Sequence, residues 1–164
     1  MLKKLNKLFL YSKFTHQPSS DKIAELSSER RLTYGNFQKD KYEAIVNFSE
    51  NNAFEVATIL LKGAEHTVTL KFPYSHFYRV TERQLSVFLY PNITLLEAKV
   101  DYPIYKIENS LLIEQVVYIA GGVLDRDDLA HYQVLSQNLV VDIILYAEEN
   151  ISFQNERGYY DELD

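Results

Sequence analysis

Apolar and polar residues alternate strictly from Tyr42 to Phe48. Tyr42, Ala44, Val46 and Phe48 fall on one side, with Glu43, Ile45 and Asn47 on the other. A period of two is the pattern of a strand with one preferred face. Ser49-Glu50-Asn51-Asn52 is turn chemistry, because asparagine tolerates positive φ. A second run over 54–62 places Val56, Thr58 and Leu60 on one face, so the two runs predict an antiparallel hairpin. Residues 32–37, with Gly35 inside, predict a strand before it. Gly63 breaks the pattern, and 66–72 resumes it with Val68, Leu70 and Phe72 opposite Thr67, Thr69 and Lys71. Pro73 stops that run, since proline has no donor for a ladder. Residues 74–82 read as an aromatic loop. Residues 84–90 predict another strand, turned by Pro91-Asn92 and answered by 93–100.

Beyond residue 100 the period is harder to read. Tyr102, Ile104, Tyr105 and Ile107 can continue a strand. Residues 111–120 fit a buried strand or a helix, and Gly121-Gly122 punctuates them. From Asp125 to Ala147 the apolar residues Leu129, Tyr132, Leu135, Leu139, Ile143 and Tyr146 recur every three or four positions. No glycine or proline intervenes, and Asp125, Asp127 and Asp128 lead the run. That spacing predicts a long helix with acids at the positive end of its dipole. Near the other end of the chain, Ser19 or Ser20 can cap a short helix through about Arg31, and Leu2, Leu5, Leu8 and Phe9 share helical spacing opposite lysines. These elements predict an α+β fold: a curved antiparallel sheet of five to seven strands, packed by a long C-terminal helix and preceded by short N-terminal helices.

A chain of 164 residues supports one domain, and 46% apolar with 24% charged residues is ordinary globular composition. Charge divides the chain. Residues 1–20 carry Lys3, Lys4, Lys7 and Lys13 without an acid, whereas 148–164 carry six acids against Arg157. The predicted organisation is a basic segment over 1–20, a single α+β domain over 21–147 and an acidic tail over 148–164, with little ordered structure expected over 151–164. A net charge of −6 argues against nucleic acid as a partner. No apolar stretch reaches the length of a secretory signal core or a membrane span, which makes the cytoplasm the expected compartment. A peripheral membrane contact through 1–14 stays open beside the alternative that this stripe docks on the protein's own core.

Candidate chemistry is sparse. With no cysteine there is no disulfide, thiolate metal site or cysteine nucleophile. His16, His66, His76 and His131 make no metal-binding pair at helical spacing, so neither metal nor cofactor is expected. No glycine-flanked serine elbow and no glycine-rich phosphate loop is present, and no catalytic residue is assigned. Thirteen tyrosines without a tryptophan are the unusual feature. Tyr74, Phe77, Tyr78, Phe88, Tyr90, Tyr102 and Tyr105 crowd the middle of the chain near Arg79 and Arg83. Aromatic faces with arginine can stack on a base or build a protein interface. Tyr78, Arg79, Arg83 and Tyr102 are therefore the candidate ligand-binding residues.

The strand Leu85-Ser86-Val87-Phe88-Leu89-Tyr90, its return through Leu96-Glu97-Ala98, and the stretch from His131 to Leu145 with Gln133, Gln137 and Asp142 resemble the YqiB-like family of uncharacterised bacterial proteins. Pro91-Asn92 stands where that family has His-Asp. The resemblance implies no activity. Two functions are expected from the residues: a non-enzymatic cytoplasmic module that binds a protein partner, or a small-ligand or nucleotide-binding protein using an aromatic-arginine cluster between helix and sheet.

Overall fold

The computed structural model describes residues 29–51, 54–85, 102–149 and 151–157. In chain order these form β1 (Arg30–Thr33), β2 (Glu43–Asn51), β3 (Phe54–Lys62), β4 (His66–Phe72), β5 (Phe77–Glu82), β6 (Ile104–Glu108), helix α1 (Leu111–Ile119), a 3-10 turn (Arg126–Asp128), β7 (Leu129–Leu135), β8 (Leu139–Tyr146) and β9 (Ser152–Arg157). The strands make two antiparallel sheets, one ordered β1-β6-β7-β8-β5 and the other β2-β3-β4-β9.

The alternation from Tyr42 to Phe48 does form β2, and β2 pairs with β3 from Glu43↔Lys62 to Asn51↔Phe54. Among the side chains described in β3, the buried ones are Ala57, Ile59 and Leu61, the face opposite to Thr58 and Leu60. In β4 the buried set is Val68, Leu70 and Phe72, as its alternation predicts. The β3–β4 turn leaves no room for a side chain at Gly63, where an added Cβ would collide with Asp40 Oδ2. Asp40 is there to accept the Ala64 N–H at 2.8 Å.

These faces pack against Ile104 of β6, Ala130, Tyr132 and Val134 of β7, and Val141, Ile143 and Leu145 of β8 in one continuous core. The molecule is thus a two-sheet sandwich with the inner face of each sheet turned to the other. Tyrosines fill much of this space. Tyr34 meets Tyr132 edge-on with centroids 4.8 Å apart, and Tyr78 stacks on Phe48 at 4.2 Å across the sheets. Enclosure pushes the Tyr132 hydroxyl up to about 12, with Tyr34 adding to the shift.

The sandwich overturns the expected α+β fold. Residues 125–147 are not a helix but the β7–β8 hairpin, turning at Ser136-Gln137-Asn138. The reason is burial on both faces. One face of β7 and β8 meets the other sheet, and the opposite face lies under α1 in the part around Leu129 and Ile144. Such strands read as nearly continuous apolar runs without a period of two. The three-to-four spacing of Leu129 to Tyr146 was then a coincidence of composition, while Val134, Val140, Val141, Ile143 and Ile144 carry the preference for strand. Leu139 accordingly sits half-buried against the inter-sheet core and not beneath a helix.

The ambiguous stretch 111–120 is where the helix forms. Ser110 caps α1 by accepting the Ile113 N–H, and Gly121 and Gly122 take φ of 63° and 86° to end it. The acidic tail also departs from expectation. β9 occupies 152–157 and pairs with β4 from His66↔Arg157 to Lys71↔Ser152. Arg30 and Arg31 belong to β1 and not to a helix. Of the strand expected at 84–90, Gln84 and Leu85 instead fall in a helical turn over 83–85. The rest of that strand, the strand expected at 93–100, the basic segment 1–20 and most of the helix expected to end near Arg31 lie outside the described residues.

Candidate functional site

Buried polar side chains are costly unless bonded, so they mark where a fold has made a specific arrangement. Four of those described gather on the outer face of the five-stranded sheet: Ser110, His131, Gln133 and Asp142, all 3% exposed or less. Strand register brings them together. Gln133 of β7 lies opposite Asp142 of β8, Asp142 lies opposite Arg79 of β5, and His131 is two residues before Gln133. Because side chains alternate along a strand, Arg79, His131, Gln133 and Asp142 project to the same face, and Ser110 meets them from the start of α1.

Asp142 is the centre. Its Oδ1 accepts from Gln133 Nε2 at 2.8 Å and bonds His131 Nε2 at 3.1 Å. Its Oδ2 accepts from Arg79 Nε at 3.0 Å, with Arg79 Nη2 also at 3.0 Å. The other nitrogen of His131, Nδ1, lies 2.7 Å from Ser110 Oγ. Ser110 Oγ also accepts the Ile113 N–H at 3.3 Å, so one hydroxyl bridges the helix cap and the imidazole.

A Ser-His-Asp chain invites comparison with a nucleophilic triad. Here the serine is enclosed and both capacities of its oxygen are engaged, one in capping the helix and one on the histidine. The chain Arg79–Asp142–His131–Ser110 therefore works as an anchor. It fastens the first turn of α1 to the middle of the sheet, while Leu112, Ile113 and Val116 pack on Leu129 and Ile144. Glu29 lies at the same end. Burial pushes its carboxyl above the usual range, while His131 and the Leu111 N–H that it accepts act to hold it down.

The anchored helix leads to an open surface. Its last turn and the glycine turn after it expose Tyr118 (78%), Ile119 (56%) and Val123 (84%). An added Cβ at Gly121 or Gly122 would meet nothing within 4 Å. Asp125, Asp127 and Asp128 follow directly and are exposed. The Ala147 N–H bonds the Asp128 carbonyl at 2.8 Å, which sets the turn carrying Glu148 and Glu149 alongside. The one cation of that run, Arg126, is paired with Glu114 at 2.7 Å. The result is an apolar knob with an acidic flank.

The four residues expected to bind a ligand do not meet in one concavity. Tyr78 points inward and stacks on Phe48. Arg79 lies on the opposite face of the same strand, committed to Asp142. Arg83 stands four residues further, about 13 Å along an extended chain, where Nη1 reaches the Ser136 carbonyl at 3.5 Å. It lines a polar groove of about 440 Å³ with Glu82, Gln84, Gln137, Asn138 and Leu139. Tyr102 precedes β6; its hydroxyl accepts the Phe37 N–H at 3.2 Å and donates to the Gly35 carbonyl. Two features of the groove are structural. Asn138 accepts the Ala44 N–H at 2.8 Å and donates to the Ala44 carbonyl at 2.9 Å, taking the place of a strand neighbour on the β2 edge. Gln137 N–H bonds the Tyr42 carbonyl at 2.7 Å, so the β7–β8 turn ties the two sheets.

Sequence reasoning did not single out Ser110 or pair His131 with Asp142. A signal was present: Leu129–Leu135 and Leu139–Tyr146 are apolar runs interrupted by His131, Gln133 and Asp142. Polar groups inside buried strands must find each other. Among the described residues, no three histidine, aspartate or glutamate side chains converge as metal ligands, and no helix is long and apolar enough to cross a membrane. No protein-family model, curated protein or solved structure matches this chain.

Proposed function

We propose that the protein is a non-enzymatic module that binds a protein partner through the knob formed by Tyr118, Ile119 and Val123. The observation that carries this reading is the concentration of these three exposed apolar side chains within six residues. Apolar groups scattered singly on a surface need no explanation, but three exposed together at one end of a helix suit a docking surface. Tyrosine is also among the residues on which interface energy concentrates. The flank of Asp125, Asp127, Asp128, Glu148 and Glu149 selects for a basic partner. A segment with apolar residues on one side and lysines or arginines on the other fits both parts.

Titration of a fluorescein-labelled amphipathic leucine-lysine peptide against the full chain tests the reading. Val123→Asp should weaken binding by about tenfold or more, the scale of an interface anchor, and leave the melting temperature unchanged because the side chain is solvent-facing. Equal affinity for wild type and Val123→Asp would refute the proposal.

A further inference from the structure

The partner chemistry selected by the knob is present in the chain itself. Residues 1–14 carry Lys3, Lys4, Lys7 and Lys13 and no acid, and Leu2, Leu5, Leu8 and Phe9 fall on one side at helical spacing. We propose that this basic N-terminal stretch is the resident occupant of the α1 knob, docking in cis so that an outside partner must displace it. The inference rests on the docking surface proposed above and adds to it a built-in competitor.

Three observations support it. The first is charge: a stretch with four lysines meets a flank with five carboxylates, where Arg126 is already neutralised by Glu114. The second is chemical fit, since the apolar side of the stretch matches Tyr118, Ile119 and Val123, which nothing among the described residues covers. The third is reach. The described chain begins at Glu29, whose carboxylate takes the Leu111 N–H at the start of α1. The knob is one helix length away, about 14 Å for nine residues. Residues 15–28 can span up to about 46–50 Å when extended. Docking in cis therefore needs only part of the available chain, and a linkage of this length gives an effective concentration in the millimolar range.

The absence of native cysteine allows a direct test in the full-length protein. Leu8→Cys combined with Val123→Cys should form an intramolecular disulfide under mild oxidation. The rate should be at least about tenfold above that of Leu8→Cys combined with Lys71→Cys, because docking concentrates one thiol at the other. Lys71 is exposed on the outer face of the four-stranded sheet, away from α1. Both positions are solvent-facing, so circular dichroism should report an intact fold for each variant. Reversing Lys3, Lys4 and Lys7 to glutamate should remove the rate advantage.

Equal rates at the two positions, or no disulfide at either, would overturn the proposal. A disulfide-linked dimer from the Val123 pair would overturn it in favour of a second copy. Failure of the disulfide with co-sedimentation of the unsubstituted chain on phosphatidylserine-containing vesicles would overturn it in favour of a membrane surface. If the disulfide fails while the leucine-lysine peptide still binds in a Val123-dependent way, the docking surface stands and only its resident occupant falls.

Discussion

Asp142→Asn keeps the size of the side chain and removes its charge, which makes it the sharpest perturbation of the anchor beneath α1. The carboxylate receives Gln133 Nε2 and His131 Nε2 on one oxygen and Arg79 Nε and Nη2 on the other. An amide offers one acceptor oxygen and one N–H₂. Whichever way it turns, one pair of donors faces another donor. Arg79, partly buried, loses the carboxylate that strand register fixes opposite it. Breaking a buried ion pair from one side costs about 3–5 kcal/mol. For a chain of this length each kcal/mol lowers the melting temperature by about 2–4 °C, so a fall of about 6–20 °C is expected. Urea denaturation followed by far-ultraviolet circular dichroism measures the loss. Repeating Asp142→Asn in an Arg79→Met background should cost less, with a coupling of about 1.5 kcal/mol or more between two residues in direct contact. A single-variant loss under about 1 kcal/mol, or strict additivity of the two changes, would refute the claim that Asp142 organises the site.

Ser110→Ala removes both the helix cap and the bond to His131, and should cost about 1–2 kcal/mol in the same assay, with a loss of helical signal before the sheet melts. Ending the chain after Glu149 deletes β9 and the buried Ile151; the side chain alone accounts for about 1.5–3 kcal/mol, so an unchanged urea midpoint would show that β9 adds nothing. Glu29 holds its proton more tightly when folded than when unfolded, so its contribution to stability falls as pH rises from the usual carboxylate range toward the raised folded value. Glu29→Gln should flatten that part of the stability profile and make the protein more stable at neutral pH; an unaltered profile would place Glu29 in open solvent.

The sequence was legible where one face of a strand is wet. Tyr42–Phe48 and His66–Phe72 alternate because the outer face of the four-stranded sheet is polar and its inner face is core, and both strands lie where the pattern puts them. Legibility failed where the sheet is covered on both sides. Every residue of β7 is buried, and in β8 only the two ends, Leu139 and Tyr146, are not. Periodicity then has nothing to report, and the helical spacing of a few leucines and tyrosines misled. The β-branched content and the turn at Ser136-Gln137-Asn138 were the better guides. The same burial hid the anchor, because Ser110 is 32 residues from Asp142 in sequence and only strand register unites them. The aromatic-arginine segment failed as a cluster for a simpler reason. Alternation along β5 sends Tyr78 and Arg79 to opposite faces.

The docking surface is tested most directly by nuclear magnetic resonance of the isotope-labelled full chain, titrated with the leucine-lysine peptide. Amide shift changes are expected at the end of α1 and its acidic flank, residues 117–128 and 147–149, and in the stretch 1–14 that the peptide displaces, with the two sheets unmoved. Changes centred on the outer face of the four-stranded sheet or in the groove beside Arg83, or none at saturating peptide, would contradict it.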